Sequence, residues 1–364
     1  MRPERAGVAT LTLTWRDAPT SARQRASTAL DDAAWTALVG QGVEGMVPLA
    51  TCARSMWFLA AEHAPWAAAL VQSALAARTG GEHLPAIRVG DEALRHALAV
   101  AAGLDSYAEG EADIGAQFAE AFSEARRARR SCRTLNLLAQ AAARVVTAGR
   151  ASGFVRSTRG LAPLAVEALR KAGISRDETV AVAGTGAIGA RVVEALRRDG
   201  HGPVARYNRT PSPGVAPLAE LGAERAVVVC TAAPAPWFDV PAGAVVVDLG
   251  SPRQARGPAL DLDGLLSGAG LRLSADKRAI AEAVIDAEHA ALEARLAGLQ
   301  RQRALEGLRS LRDDFLAREV DGLFAGPMAD LGADQRRRVM AAARAAIRSY
   351  NHQVVAWLRE REDG

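Results

Sequence analysis

The stretch Thr179-Val-Ala-Val-Ala-Gly184-Thr-Gly186-Ala-Ile-Gly189 sets a short β-branched run directly before a G-x-G-x-x-G loop, and the loop opens a helical segment, 187–198. Strand, glycine loop and helix in that order are the context in which such a triplet signals a dinucleotide site. Gly184 makes the tight turn, Gly186 leaves room for a pyrophosphate, and Gly189 lets helix and strand pack closely. Ala187 and Ile188 then begin a helix whose free N–H groups and positive dipole end meet phosphate. A glycine-rich turn with no ligand is the plainer alternative. The second strand, 204–207, runs into Asn208-Arg209-Thr210, which offers no carboxylate to a ribose 2′-hydroxyl. Arg209 and the Thr210 hydroxyl suit a 2′-phosphate instead, so the expected cofactor is NADPH.

Working outward, 227–230 and 244–248 read as further buried strands between Pro/Gly-rich loops, which predicts an open parallel sheet with helices on its faces. Towards the amino terminus, 8–15 alternates and 43–50 reads as a second strand, with Ala-rich helical stretches at 64–77, 91–103 and 112–130. Towards the carboxyl terminus, 274–321 contains no proline. Ile280, Val284, Ala287, Ala291, Leu292, Leu296, Leu299, Leu305 and Leu308 recur there at helical spacing, predicting one or two long helices with Gly298 and Gly307 as points of interruption. Thirty residues of helix span roughly 45 Å, so this segment must bridge domains or pair with another chain. A last helix is expected over 333–361. The predicted fold class is α/β multidomain: an N-terminal α/β domain over 1–152, a Rossmann-type NADP domain over 153–273, and a long-helix region over 274–364.

With 364 residues, 49% hydrophobic and 24% charged, the chain is neither disordered nor fibrous. The lack of an apolar run of membrane-spanning length, and a leader Met1-Arg-Pro-Glu-Arg-Ala-Gly without apolar core or cleavage site, point to a cytoplasmic protein with no membrane partner. A net charge of +4 is compatible with a nucleic-acid partner. The run Arg126-Arg-Ala-Arg-Arg-Ser-Cys-Arg133 reads either as a backbone contact to such a partner or as a solvated helix face. Cys52, Cys132 and Cys230 are widely spaced, and the six histidines show no H-E-x-x-H. That argues against a disulfide framework, and no metal site is expected.

Cys52 follows a predicted strand in Pro48-Leu-Ala-Thr51-Cys52-Ala53-Arg54-Ser55. Taken alone it is either a packing residue or a nucleophile whose pKa is lowered by a cation such as Arg54, or by His96 if the fold brings it close. Its neighbours add a resemblance. Ala18-Pro19 with Arg23, then Thr51-Cys52-Ala53-Arg54, then His96, Gly103-Leu-Asp-Ser106 and Gly110-Glu111 with Ile114 and Gln117, resemble in order the motifs of the glutamyl-tRNA reductase family. So do the glycine loop, Asn208-Arg209-Thr210, Thr231, and Asp248 with Pro252-Arg253.

The resemblance implies that 1–152 is the catalytic domain that takes an aminoacyl-tRNA, and that 274–364 dimerises the chain. It implies Cys52 as a nucleophile forming a thioester, with His96 near it; a histidine in the core is the alternative for His96. Thr51, Arg54, Ser106, Glu111 and Gln117 match substrate-binding positions, Arg54 alternatively making an ion pair. Gly184, Gly186, Ala187, Ile188, Gly189, Asn208, Arg209, Thr210 and Thr231 form the cofactor site. The implied reaction reduces glutamyl-tRNA to glutamate 1-semialdehyde for tetrapyrrole biosynthesis, by a homodimer that passes its aldehyde to a downstream enzyme. The chain departs from the family at Trp15, Ala53, Met56, Asp113 and Ala119, where polar residues of the family pattern are altered or lost. Those departures leave open a paralogue reducing another aminoacyl- or peptidyl-tRNA in natural-product biosynthesis, a thiol reductase of a non-tRNA acyl group, and a non-catalytic regulatory paralogue.

Overall fold

The structure is a computed structural model and describes residues 7–156, 160–222, 224–267 and 272–362; residues 1–6, part of the leader segment, lie outside the described residues. The chain begins with β1 (Gly7–Thr14), α1 (Thr20–Thr28), α2 (Asp32–Gly40), β2 (Val43–Ala50), β3 (Arg54–Ala61), α3 (Ala64–Thr79), β4 (Ala86–Val89), α4 (Gly90–Ala101), α5 (Asp113–Arg127) and α6 (Arg133–Ser152). The strands form an antiparallel sheet of order β2-β3-β1-β4. Its two faces follow the period of two. Met56, Phe58 and Ala60 enter a core with α4, α5 and α6, while Trp57, Leu59 and Ala61 enter another with α1 and α3. Phe118 and Phe122 of α5 stack at 4.6 Å and close on Phe58. Ala50 pairs with Ser55, so β2 and β3 form a hairpin with Cys52 near its tip.

There follow α7 (Leu161–Lys171), β5 (Val180–Ala183), α8 (Ala187–Asp199), β6 (Val204–Asn208), β7 (Ala216–Pro217), β8 (Ala226–Val229), β9 (Phe238–Asp239), β10 (Val245–Asp248), β11 (Ala255–Arg256) and α9 (Leu262–Ser267). The second sheet is parallel, of order β10-β8-β5-β6-β7. From β5 the chain moves outward to β6 and β7, then returns to the other side of β5 at β8. Such a reversal opens a crevice at the carboxyl ends of the strands. Helices α7, α8 and α9 cover one face. The other face differs from the expectation of helices on both: Tyr207, Phe238, Ala255 and the small β9/β11 pair cover Ala181, Val227, Val229 and Val246. The connections there contain Pro211, Pro213, Gly214, Pro234, Pro236, Pro241 and Gly243, a density of helix breakers that leaves short strands, one 3-10 turn and irregular chain to do the covering.

Two helices complete the chain, α10 (Ala275–Ala325) and α11 (Ala333–Glu362). The long segment is one helix of 51 residues, uninterrupted at Gly298 and Gly307. Nothing lies within 4 Å of where a Cβ on either glycine would stand. Each therefore costs only its propensity of about 1 kcal/mol relative to alanine. By contacts the chain divides into two units, one ending at Leu296 and one beginning at Ala297. In the first, Ala281, Ile285, Leu292 and Leu296 of α10 join the core of α4, α5 and α6. In the second, Val320 is buried while Leu308, Leu311, Phe315 and Leu323 are exposed. Among the described residues no helix is long and apolar enough to cross a membrane.

Candidate functional site

The hairpin tip is held by its own residues. Thr51 Oγ1 accepts the Ala53 and Arg54 N–H groups, both at 3.2 Å, and the Thr51 N–H donates to the Arg54 carbonyl at 2.8 Å. Two longer reaches fix it to the domain. Arg23 of α1, only 2% exposed, donates to the Cys52 carbonyl at 2.7 Å, and the Trp15 N–H donates to the Ala53 carbonyl at 2.9 Å. The half-buried Cys52 opens into a cavity of about 340 Å³. Thr51, Arg54, Tyr107, Glu111, Asp113 and Gln117 line it from the β2–β3 hairpin, the α4–α5 connection and α5. Gly160–Pro163 at the start of α7, with Ile188, Arg191, Glu194 and Arg198 of α8, line it opposite. Ser106 is buried and lies instead in an adjoining cavity with Trp15 and Arg16, and Tyr107 borders both.

Arg54 is 1% exposed, and its guanidinium is committed within the protein. Nη1 donates to Asp105 Oδ2 at 3.0 Å and Nη2 donates to the Asp105 carbonyl. Asp105 also pairs with Arg16 at 3.1 Å and meets His96 Nε2 at 3.4 Å. Burial would raise the Asp105 pKa, but the His96 hydrogen bond and the Arg54, His96 and Arg16 charges hold it well below the usual carboxylate range. The structure thus brings His96 to Asp105, and His96 does not line the thiol cavity. Asp105 and Arg23, the residues that anchor Arg54 and the Cys52 turn, stand within the quoted motifs but carry no local sign of that role.

The thiol is not activated in this state. Burial first, then the negative charge of Glu111, pushes Cys52 up to about 12 against the opposing pull of Arg23 and Arg54. Burial likewise raises Glu111, with Asp113 adding to the shift and Tyr107, Ser106 and Arg54 opposing it. With a thiol this weakly acidic, the Cys52 alkylation rate should climb about tenfold per pH unit from 7 to 10 without levelling. Glu111→Gln, which removes the charge, should speed it at every pH. Iodoacetamide labelling followed by peptide mapping measures both, and a plateau below pH 9 would contradict the first.

Of the departures from the family pattern, Ala53 and Asp113 line the cavity. Met56 does not: it is fully buried in the core between the first sheet and α4–α6. Ala119 is exposed on α5. Trp15 borders the adjoining cavity, edge-on to Tyr107 at 6.3 Å with Arg16 over its ring.

The glycine loop follows β5, and its partners stand at the same edge of the parallel sheet. A Cβ on Gly189 would lie 1.9 Å from the Gly184 carbonyl oxygen, and one on Gly184, at φ +107°, would lie 2.8 Å from the Cys230 oxygen. On Gly186 it would meet nothing within 4 Å, and Gly186, Ala187 and Ile188 are exposed. Two glycines are therefore required by packing, and the third leaves an open cradle at a helix start, which fits a phosphate. Asn208 ends β6 and donates to Thr185 Oγ1 at 2.9 Å, with Arg209 and Thr210 exposed beyond it. Thr231 follows β8, where Trp237 Nε1 donates to its hydroxyl at 2.8 Å and the hydroxyl donates to Gln254 at 3.1 Å. Asp248, buried at the end of β10, anchors this loop by accepting the Gly250, Gln254 and Ala255 N–H groups. Elsewhere, Asp91 of α4 with His289 and Glu293 of α10 place one potential ligand atom each within 4.8 Å of one another, a grouping that sequence spacing hides and that does not line the thiol cavity.

Residues 11–152 match the family model for the glutamyl-tRNA reductase N-terminal domain. Glutamyl-tRNA reductase 1 of Pyrobaculum calidifontis is 38% identical over 140 residues, covering 37% of this chain and 35% of that protein. Glutamyl-tRNA reductase of Pyrobaculum islandicum is 34% identical over 151 residues, 41% of this chain and 38% of its own. The matched stretches thus span a little over a third of the relatives' lengths. The solved glutamyl-tRNA reductase of Methanopyrus kandleri aligns with 94% of this chain and 98% of its own at 22% identity and a TM-score of 0.46. Over residues 11–152, then, this chain is similar to the amino-terminal domain of glutamyl-tRNA reductases.

Proposed function

We propose that this chain reduces glutamyl-tRNA to glutamate 1-semialdehyde through a thioester on Cys52, with NADPH as the reductant, and so feeds tetrapyrrole biosynthesis. The observation that carries the reading is the single cavity that has the Cys52 hairpin on one wall and α8, the helix opened by the glycine loop, on the other. Residues 1–152 take the catalytic role, and the parallel-sheet region to 273 acts as a Rossmann-type cofactor domain. Gly184, Gly186, Ala187, Ile188 and Gly189 would cradle the pyrophosphate, Asn208, Arg209 and Thr210 the 2′-phosphate end, and Thr231 the next strand end. When bound, the cofactor supplies hydride.

Cys52 Sγ attacks the acyl carbon. The carbon–sulfur bond forms, the ester bond to the tRNA ribose breaks, and the thiol proton leaves on the released ribose hydroxyl. Thr51 and Arg23 hold the thiol at the hairpin tip. Glu111 and Gln117 border the acyl group, Ser106 lies in the adjoining cavity, and Arg54 holds Asp105 beside His96. The exposed Leu308, Leu311, Phe315 and Leu323 support a homodimer through the helical region, and the reactive aldehyde calls for an acceptor enzyme.

With purified protein, NADPH and individually charged tRNAs, glutamyl-tRNA should be deacylated as cofactor is oxidised. The reading fails if glutamyl-tRNA is ignored while another charged tRNA is consumed. The exposed Arg126, Arg127 and Arg129 at the end of α5 supply a backbone contact. Replacing all three with alanine should reduce the slope of log affinity against log salt by about 2–3, as expected for three phosphate contacts. Filter binding across a salt series measures it, and an unchanged slope would assign these arginines to solvent.

A further inference from the structure

We propose that Asp91 of α4 with His289 and Glu293 of α10 forms a binding site for one divalent transition-metal ion of the zinc class, apart from the thiol cavity. Each side chain places one potential ligand atom within 4.8 Å of the other two. None of the three lines the thiol cavity, so the proposal stands whether or not the chain reduces an acyl-tRNA. His289 and Glu293 are four residues apart and share one face of α10. Ile285 and Leu292, a turn to either side of His289, are fully buried in the core to which α4 gives Ala93, Leu94, Ala97 and Leu98. Asp91 stands in the first turn of α4, at the edge of that contact. Arg95 of α4 pairs with Asp286 of α10 at 2.8 Å. The two helices are therefore joined without a metal, and an ion would reinforce a contact already formed.

His289 supplies the sign of a missing ligand. Its side chain is 17% exposed, and Nδ1 stands 3.8 Å from Glu293 Oε2, beyond hydrogen-bond reach. Nε2 is buried and has no hydrogen-bond partner among the described residues. A buried ring nitrogen in that condition calls for an ion or a water, and the two carboxylates beside it favour the ion. One imidazole and two carboxylates bring two negative charges, which a dication neutralises. Tetrahedral zinc holds such donors about 3.4 Å apart and keeps its fourth position for water. Closing from the present spacing takes only side-chain rotation, since Asp91 is exposed and His289 and Glu293 are half-buried. The imidazole sets the class of ion: magnesium and calcium take oxygen donors, whereas zinc, copper, nickel and iron accept nitrogen. Local spacing predicted no metal site because Asp91 joins the other two from a distant part of the chain.

Full-length protein, stripped with a chelator and dialysed, is titrated with zinc chloride and separately with cobalt chloride. Zinc should bind at one ion per chain by calorimetry and raise the melting midpoint as its concentration rises. Cobalt should give the visible bands of a nitrogen and oxygen site with no thiolate charge-transfer band, which separates this site from Cys52, Cys132 and Cys230. Asp91→Asn should weaken zinc binding about tenfold and His289→Ala about a hundredfold, since losing a ligand costs at least what losing an outer partner does. Asp91 is exposed, so its variant reads the site even if His289→Ala does not fold. The proposal is overturned by any of four results: no stoichiometric zinc, unchanged affinity in either folded variant, a thiolate band, or displacement of cobalt by about a hundredfold excess of magnesium. The first of these would leave the three groups as an imidazolium held between carboxylates and nothing more.

Discussion

Cys52→Ser should lower reductive turnover of glutamyl-tRNA by roughly a thousandfold or more, the scale seen when a covalent nucleophile is removed. The fold should survive the change. Sulfur and oxygen differ little in size, and the hydrogen bonds that hold the hairpin tip run through the Thr51 side chain and the Cys52 backbone carbonyl. Serine fails chemically, because an alkoxide in this half-buried position beside Glu111 is even harder to form than the thiolate. Cofactor oxidation by wild type and variant, alongside circular dichroism, gives the comparison. Full activity in a folded Cys52→Ser protein would remove the thioester from the mechanism.

Asp105→Ala should destabilise the fold around the antiparallel sheet by about 3–5 kcal/mol, the usual cost of leaving a buried charge without its partner. The exposed partner charge on Arg16 adds little to this. The cost arises at Arg54, which is 1% exposed and loses its only carboxylate among the described residues. Acid should act in the same direction. The Asp105 carboxyl sits below its unfolded value of about 3.9, so the stability it confers is complete above that pH and drains away as pH falls towards the folded value. Urea titrations at pH 7 and pH 3 check both statements: the gap between wild type and variant should narrow at the lower pH. An equal gap at both would mean that Asp105 acts by packing rather than charge.

The parts of this protein that the sequence discloses are those built from neighbours in the chain. The glycine loop declares its role because Gly184 and Gly189 are only five residues apart and their spacing is itself the packing constraint. The Thr51-Cys52 tip is similar, since Thr51 bonds residues two and three positions on. The rest depends on long-range meetings with no local trace. Arg54 meets Asp105 across 51 residues, and Asp113 meets Arg191 across 78. Met56 shows the same limit from the other side. It lies four residues from Cys52, yet the alternation of β3 turns it into the core, so its departure from the family pattern alters packing rather than the thiol cavity. The second face of the parallel sheet was open to misreading for a related reason: strand spacing predicts the sheet, while the proline-rich connections decide what covers it.

Mixing the protein with glutamyl-tRNA while withholding NADPH tests the central claim most directly. Intact-mass spectrometry should then show one added glutamyl group per chain, mapped to the Cys52 peptide and released by hydroxylamine. Deacylated tRNA with no adduct at Cys52, in wild-type protein trapped at short times, would contradict the account.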